Sequence, residues 1–519
     1  MVKNRHSVLL VMLVVCLFLG GCQSSIQVIS GEDTGTLATL PPPEMIYDAP
    51  VGDAGLDYET TATLFLPRAD GVRLIAQQVR VKLPVGKHGA EVVLEELFKH
   101  PGNANVQPLT KNVSLQLTGA NPVEISRDVA TVNLSSAANL LEPREFYTVC
   151  QAIANTLTEF SDIRYVNVLV AGTQVGLDIS ATLPMGTLQR RTSDDINVLW
   201  EQADAQRVPL SENPATRRLS TMATLYFPAR MGTGILPEVR NMSFEGQTIP
   251  QLVTGILQEL YLGAEYLGNV PTMPDLVNLL TDDPVVSDIS SGGRKVTLRF
   301  SSDLNDALND NGLTRSICMA SLTYTLTTFL PNIAGVEVYI DDMLINEISP
   351  SSIYIPQQTI AFSRGLQQRS DYGSFLLSYC KLYFGTEGGK LTAVNRPVPY
   401  YQAKNPRYLL LQLSMGPMAY DSVTGLSAVF PSALRDADVI GVGYTDDTML
   451  VHLSDAFKTS ASALSATAER QLIYAVVNTL CENPVVSRVR FYIAGSQPET
   501  LAGEIYLPGE FFQNPGIVQ

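Results

Sequence analysis

The chain has 519 residues, of which 45% are apolar and 17% charged, and its formal net charge is −16. That length exceeds one ordinary globular domain and predicts about three. An acidic balance of this size excludes nucleic acid as a partner, because displacing counterions from a phosphate backbone takes a basic face, and it also argues against a basic membrane-binding surface.

Lys3 and Arg5 precede an unbroken apolar run from Val8 to Leu19, and the sequence then reads Leu19-Gly20-Gly21-Cys22. The run is too short to span a bilayer as a helix, for which about 20 residues are needed, and small residues follow it directly. This predicts a lipoprotein signal peptide over 1–21 and lipid on the Cys22 thiol, with Gly21 leaving room for the peptidase. Residues 22–57 contain Pro41-Pro42-Pro43 among scattered Gly, Ser and Asp, and read as an extended tether.

A repeat then sets the organisation. Ala62-Thr63-Leu64-Phe65-Leu66-Pro67 returns as Ala223-Thr224-Leu225-Tyr226-Phe227-Pro228 and more loosely as Lys381-Leu382-Tyr383-Phe384-Gly385. In the first copy the alternation of Val79, Val81 and Leu83 predicts a second strand. Ala90, Val93, Leu94, Leu97 and Phe98 then form one helical stripe, stopped at Pro101-Gly102. Its counterparts are Val253, Ile256, Leu257, Leu260 and Tyr261, stopped at Gly263, and Leu409, Leu410 and Leu413, stopped at Gly416-Pro417.

Further on, alternating strands over 129–135, 295–301 and 448–454 each end in serine, with Val132 and Leu134, Leu298 and Phe300, and Val451 and Leu453 facing a core. Asn133, Arg299 and His452 share the outward position. Helices over 147–160, 318–329 and 468–480 follow, carrying Thr156-Leu157, Thr325-Leu326 and Thr479-Leu480, and strands over 166–170, 336–340 and 489–493 close each copy. Each copy therefore reads ββαββαβ. The fold class expected is α+β: three tandem two-layer domains, each a mostly antiparallel sheet with two helices packed on one face. The domains are bounded at 58–188, 218–345 and 375–510. Residues 189–217 read as a linker with a short docking helix at Ile196, Leu199, Trp200 and Ala203, and 346–374 as a looser linker rich in Ser, Gln and Gly.

Candidate chemistry is sparse. His88 and His100 flank a helix, and His452 reads as a solvent-facing strand residue. The adjacent acids Asp194-Asp195, Asp282-Asp283, Asp341-Asp342 and Asp446-Asp447 fall at turns or a helix start, where Asp bonds the backbone, and recur at no common position. There is no HExxH, GxSxG, phosphate-loop or dinucleotide pattern. Cys150, Cys318, Cys380 and Cys481 have no zinc or redox spacing and read as buried free thiols. The Asn-x-Ser triplets at Asn112, Asn133 and Asn241 are chance matches. No catalytic, cofactor-binding or metal-ligating residue is expected, so Cys22 is the one functional residue assigned. The outward aromatics Tyr339 and Tyr492, with Leu169 at the same position, mark either a partner surface or burial within the domain. Glycan recognition needs aromatic platforms with polar neighbours, and the sole Trp200 lies in a linker.

Gly416-Pro417, Gly425 to Pro431, His452-Leu453-Ser454-Asp455-Ala456-Phe457, the Gln471 to Leu480 helix and the Val489 to Ile493 strand resemble the GerM-type sporulation and germination domain. The first copy agrees through Val129 to Ser136 and Phe146 to Val170. The second is the most divergent, with an insertion at Ala264 to Asp275 and no Gly-Pro stop. The resemblance implies a non-catalytic lipoprotein on the extracytoplasmic face of the cell membrane of a Gram-positive spore-former. It implies an assembly role in sporulation or spore germination, with envelope proteins or the chain's own repeats as partners; cell-wall peptidoglycan binding is the alternative.

Overall fold

The computed structural model describes residues 49–519 apart from 54–56, 85–87, 178–182, 192–194, 205–217, 246–247, 291, 351–354, 356–357 and 422. The expected signal peptide, Cys22 and nearly all of the tether lie outside the described residues. The first repeat runs β1 (Asp57–Pro67), β2 (Leu74–Pro84), α1 (Ala90–Lys99), β3 (Val123–Ser126), β4 (Val129–Leu134), α2 (Pro143–Leu157), β5 (Tyr165–Val170), β6 (Leu188–Gln189) and α3 (Ile196–Asp204). The second runs β7 (Arg218–Pro228), β8 (Ile235–Glu245), α4 (Ile249–Leu262), β9 (Val285–Asp288), β10 (Arg294–Phe300), α5 (Leu304–Asp310), α6 (Arg315–Phe329) and β11 (Ile333–Ile340). Short strands follow as β12 (Met343–Leu344), β13 (Glu347–Ile348), β14 (Ile360–Ala361) and β15 (Leu366–Gln367). The third has β16 (Leu377–Gly385), β17 (Leu391–Pro399), α7 (Pro406–Ser414), β18 (Val439–Thr445), β19 (Thr448–Leu453), α8 (Asp455–Ala461), α9 (Ala466–Leu480), β20 (Arg488–Ile493) and β21 (Phe511–Phe512).

The α+β order holds in all three, with the strands of each repeat divided between two sheets instead of joined in one. The long strands β1 and β2, β7 and β8, and β16 and β17 form isolated antiparallel hairpins. The others form a mixed sheet whose central pair is parallel: β4 with β5, β10 with β11, β19 with β20. Each long helix is the crossover that a parallel pair requires.

Division of the sheet explains the burial of those helices. Residues 316–329 of α6 are all buried, with no solvent-facing stripe, which is how a helix enclosed on every side behaves. Enclosure demands partners for polar groups, and the recurring threonine supplies one. The Phe65 amide donates to Thr156 Oγ1 and the Tyr226 amide to Thr325 Oγ1, each over 3.0 Å, tying hairpin to helix. Thr479, at the same place, is buried with its hydroxyl unpaired among the described residues.

The end of the parallel pair is built alike in all copies. Val170 and Thr173, and Ile493 and Ser496, exchange backbone hydrogen bonds across two residues of positive φ, Ala171-Gly172 and Ala494-Gly495. These are the tight hairpin turns whose twist matches the flanking strands. Asp341-Asp342, with φ of 51° and 58°, turns the second copy.

Helix ends use a second device. Arg240 on β8 donates to the Gly263 carbonyl, and Arg396 on β17 donates to the Gly416 carbonyl over 2.7 Å. Each places a cation on the carbonyls that finish the helix following its strand. Arg396 is wholly buried and paired with Asp421, while Arg240 pairs with Glu238.

The segment expected to be a loose linker, 346–374, is woven into the second repeat among its described residues. β15 pairs with β11, β13 with β14, and Phe362 and Tyr372 are buried in that core. A few large aromatics outweigh a polar composition, because each buries a large apolar area. Within 189–217, α3 packs Ile196, Leu199 and Ala203 into the first repeat's core, and Trp200 meets Tyr147 edge-on at 6.1 Å.

Candidate functional site

The three repeats converge on one buried guanidinium. Arg369, in the 3-10 turn Arg369–Phe375, reaches Glu124 of β3 with Nε at 3.0 Å and with Nη2. It also donates to the Tyr226 hydroxyl over 3.1 Å and to Thr328, and lies 3.9 Å from the centre of the Tyr324 ring. Burial opposes the charge on Arg369, but the Glu124 carboxylate together with Tyr226 and Tyr324 outweighs it, so the group stays firmly protonated. Tyr400, from the third repeat, lines a cavity together with Glu124 and Arg369, and burial drives its phenol well above the usual range. Removing one partner of such a pair costs up to about 3–5 kcal/mol, since the other is left largely enclosed and charged.

Pairwise seams radiate from this point. Between first and second repeats, Asn167 Nδ2 donates to Thr224 Oγ1 over 3.0 Å and the Thr187 amide donates to the Met222 carbonyl over 2.9 Å. Between second and third, Leu376 bridges Ile235, and Leu377 sits in the second repeat's core. Between first and third, the Arg127 amide donates to Ser378 Oγ over 3.0 Å, and Lys404 pairs with Asp162 at 3.2 Å. Burial alone would raise the Asp162 carboxyl, yet His88 at 3.3 Å and Lys404 hold it well below the usual carboxylate range.

A cavity of about 460 Å³ opens along the seam of the first and third repeats. Tyr379, Tyr400 and Tyr401 wall one side; Glu91, Asn121 and Lys404 rim it.

The third repeat also holds the first described residues. Gly52 N donates to Ile440 O over 3.0 Å, and Asp53 takes Arg407 at 2.6 and 2.9 Å together with the Val442 amide at 3.1 Å. His452, expected to face solvent, is instead buried. Its Nε2 accepts the Gly495 amide, so Nδ1 carries the proton and donates to the Pro50 carbonyl, both over 2.8 Å. Alternation placed it on the outer face, which residues 50–53 cover.

The sister positions solve the same task differently. Asn133 Oδ1 accepts the Gly172 amide over 2.8 Å, whereas Arg299 pairs with Asp342 at 3.2 Å and lies 4.0 Å from the centre of the Tyr339 ring. Leu169 and Tyr492 are buried and Tyr339 is half-buried beneath Arg299. Asp195 Oδ1 accepts the Asn197 amide over 2.9 Å at the start of α3; Asp194 lies outside the described residues. Asp341, Asp342 and Asp446 stand at turns with positive φ, and Asp282 and Asp283 are exposed. His88 and His100 each accept a backbone amide two residues on, over 3.1 Å.

Cys150, Cys318 and Cys380 are buried free thiols and Cys481 is half-buried; burial pushes Cys318 and Cys380 up to about 12 and Cys481 to about 11. Among the described residues no group of three His, Cys, Asp or Glu could hold a metal ion, and no helix is long and apolar enough to cross a membrane. Glu124, Arg369, Asp162 and the tyrosine trio were not singled out from the sequence. Each meets its partners only through long-range packing, and an arginine in a polar stretch carries no local signal.

No curated protein matches the chain. Among solved structures it is similar to the tandem GerMN domains of the sporulation protein GerM from Bacillus subtilis, at 17% identity over 60% of this chain and 99% of that one, TM-score 0.22. It is also similar to the first GerMN domain of that protein alone, at 21% identity over 26% of this chain and 96% of that one, TM-score 0.19. The family model Germane, described as sporulation and spore germination, matches residues 63–176, 224–344 and 381–499. Those three matches fall on the three repeats and cover most of the chain, which therefore belongs to the Germane family of sporulation and spore germination domains.

Proposed function

We propose that the chain is a non-catalytic envelope lipoprotein, held at the extracytoplasmic face of the cell membrane by lipid on Cys22, whose repeats serve as an assembly module in sporulation or spore germination. In this reading residues 1–21 are removed, 22–57 form the tether, and domains 58–188, 218–345 and 375–510 are joined through 189–217 and 346–374. The observation that carries it is the junction at Arg369. One domain type, present three times, packs against its own copies through Arg369, Glu124, Tyr226 and Tyr400. A domain type that packs against its own copies within one chain is suited to pack against envelope proteins or further copies of this one.

The test has two arms. Deleting the gene should lower the yield of viable, germination-competent spores, and a tagged chain taken from membranes should bring envelope proteins with it. Replacing Cys22 with Ser should move the protein out of the membrane fraction. Normal spores with no co-purifying partner would sink the assembly role, and a Cys22→Ser protein still held in the membrane would sink the lipid anchor.

A further inference from the structure

We infer that the cleft between the first and third repeats, walled by Tyr379, Tyr400 and Tyr401 and rimmed by Glu91, Asn121 and Lys404, is a binding site for a saccharide of one or two rings. This stands independently of the assembly reading.

Size gives the first argument. Its volume of about 460 Å³ falls within the range of about 300–1,000 Å³ usual for small-molecule sites. Charge gives the second. Arg127 and Lys404 line the cleft together with Glu91 and Asp162, so neither a polyanion nor a polycation is favoured, and a purely apolar ligand would strand the charged rim.

A ligand with one apolar face and many hydroxyl groups fits what remains. Tyrosine pairs a flat apolar ring with a polar tip. Tyr401 is 48% exposed and stands perpendicular to Tyr400 at 5.5 Å between centres, so a ring can be laid upon it without displacing the core. The Tyr400 ring backs Tyr401, and its own hydroxyl is enclosed and out of reach from the cleft. Asn121 and Glu91, on the loop before β3 and the first turn of α1, add a donor and an acceptor at the rim. The site exists only when the first and third repeats are packed together, since each contributes one wall.

The experiment uses the full chain purified from membranes in mild detergent. Saturation-transfer-difference NMR with cellobiose and with N,N′-diacetylchitobiose should show transfer to the ring protons of at least one of them. Transfer should vanish in Tyr401→Ala, persist in Tyr401→Trp, and require about tenfold more sugar in Asn121→Ala, the equivalent of one lost hydrogen bond of ordinary strength. Circular dichroism and the melting temperature should be unchanged in these variants, as both positions are exposed. Co-sedimentation with purified cell wall separates the sources: pelleting abolished by Tyr401→Ala assigns a polymer-borne saccharide, and NMR transfer without pelleting assigns a free one. Absence of transfer from both disaccharides without pelleting, or binding indifferent to Tyr401→Ala and Asn121→Ala alike, overturns the proposal.

Discussion

Two regions fasten the repeats together, and they do so by opposite means. At the junction the fastening is a buried charge pair, Arg369 with Glu124, enclosed by tyrosine rings. At the outer edge of the third repeat it is main chain: Gly52 bonds Ile440, the Pro50 carbonyl meets His452, and Gly441 is bare because any side chain there would strike the Pro50 and Gly52 oxygens. The first holds by the cost of leaving a charge unpaired, the second by close approach of backbone. The junction should therefore be intolerant of losing one member yet tolerant of losing both, whereas the edge should be sensitive to shape.

The largest effect is expected at the junction. Arg369→Ala should destabilise the protein by up to about 3–5 kcal/mol, because the half-buried Glu124 is left without its partner. The double change Arg369→Met with Glu124→Gln should recover most of that loss in urea denaturation. A double variant as unstable as the single one would show that the pair does more than neutralise itself.

Next comes the edge. A Cβ on Gly441 would lie 2.4 Å from the Pro50 oxygen, so Gly441→Ala should dislodge residues 50–53 at a cost of about 1–3 kcal/mol, the usual penalty for overpacking. Hydrogen exchange at the Gly52 amide should accelerate while exchange in β4 and β5 stays slow. His452→Leu should cost about 1–3 kcal/mol, because it strands the Gly495 amide and the Pro50 carbonyl; thermal unfolding would read this.

The smallest effect concerns acid. The Asp162 carboxyl is held below its ordinary value of 3.8, so its contribution is present while it is ionised, above about pH 4, and is lost as pH falls through the folded value. Asp162→Asn should lower stability at neutral pH and flatten the acid limb of a stability-against-pH curve. An unchanged acid limb would remove Asp162 from the seam's energetics.

Regular elements were readable because periodicity is local. The stripe Ala90 to Phe98 became Ala90–Lys99, and the Val489 to Ile493 strand became Arg488–Ile493. Failures occurred where distant segments cover a surface. His452 alternates like an exposed residue, and only a segment 402 positions earlier makes it internal. Glu124 and Arg369 lie 245 residues apart, so no window of sequence brings them together. Division of each copy into a hairpin and a mixed sheet was likewise illegible: a strand's alternation tells which side is apolar, not which neighbour it hydrogen-bonds. Composition misled at 346–374, where Phe362 and Tyr372 decide the outcome against many polar residues.

The clasp of Pro50–Asp53 on the third repeat has a mechanical consequence. Tension travelling along the polypeptide from upstream of Pro50 is delivered first to the carboxy-terminal repeat, through the Asp53–Arg407 link and the Gly52–Ile440 bond. The load bypasses β1 until that clasp yields, so the amino-terminal repeat is shielded from stress by the body farthest from it in chain order.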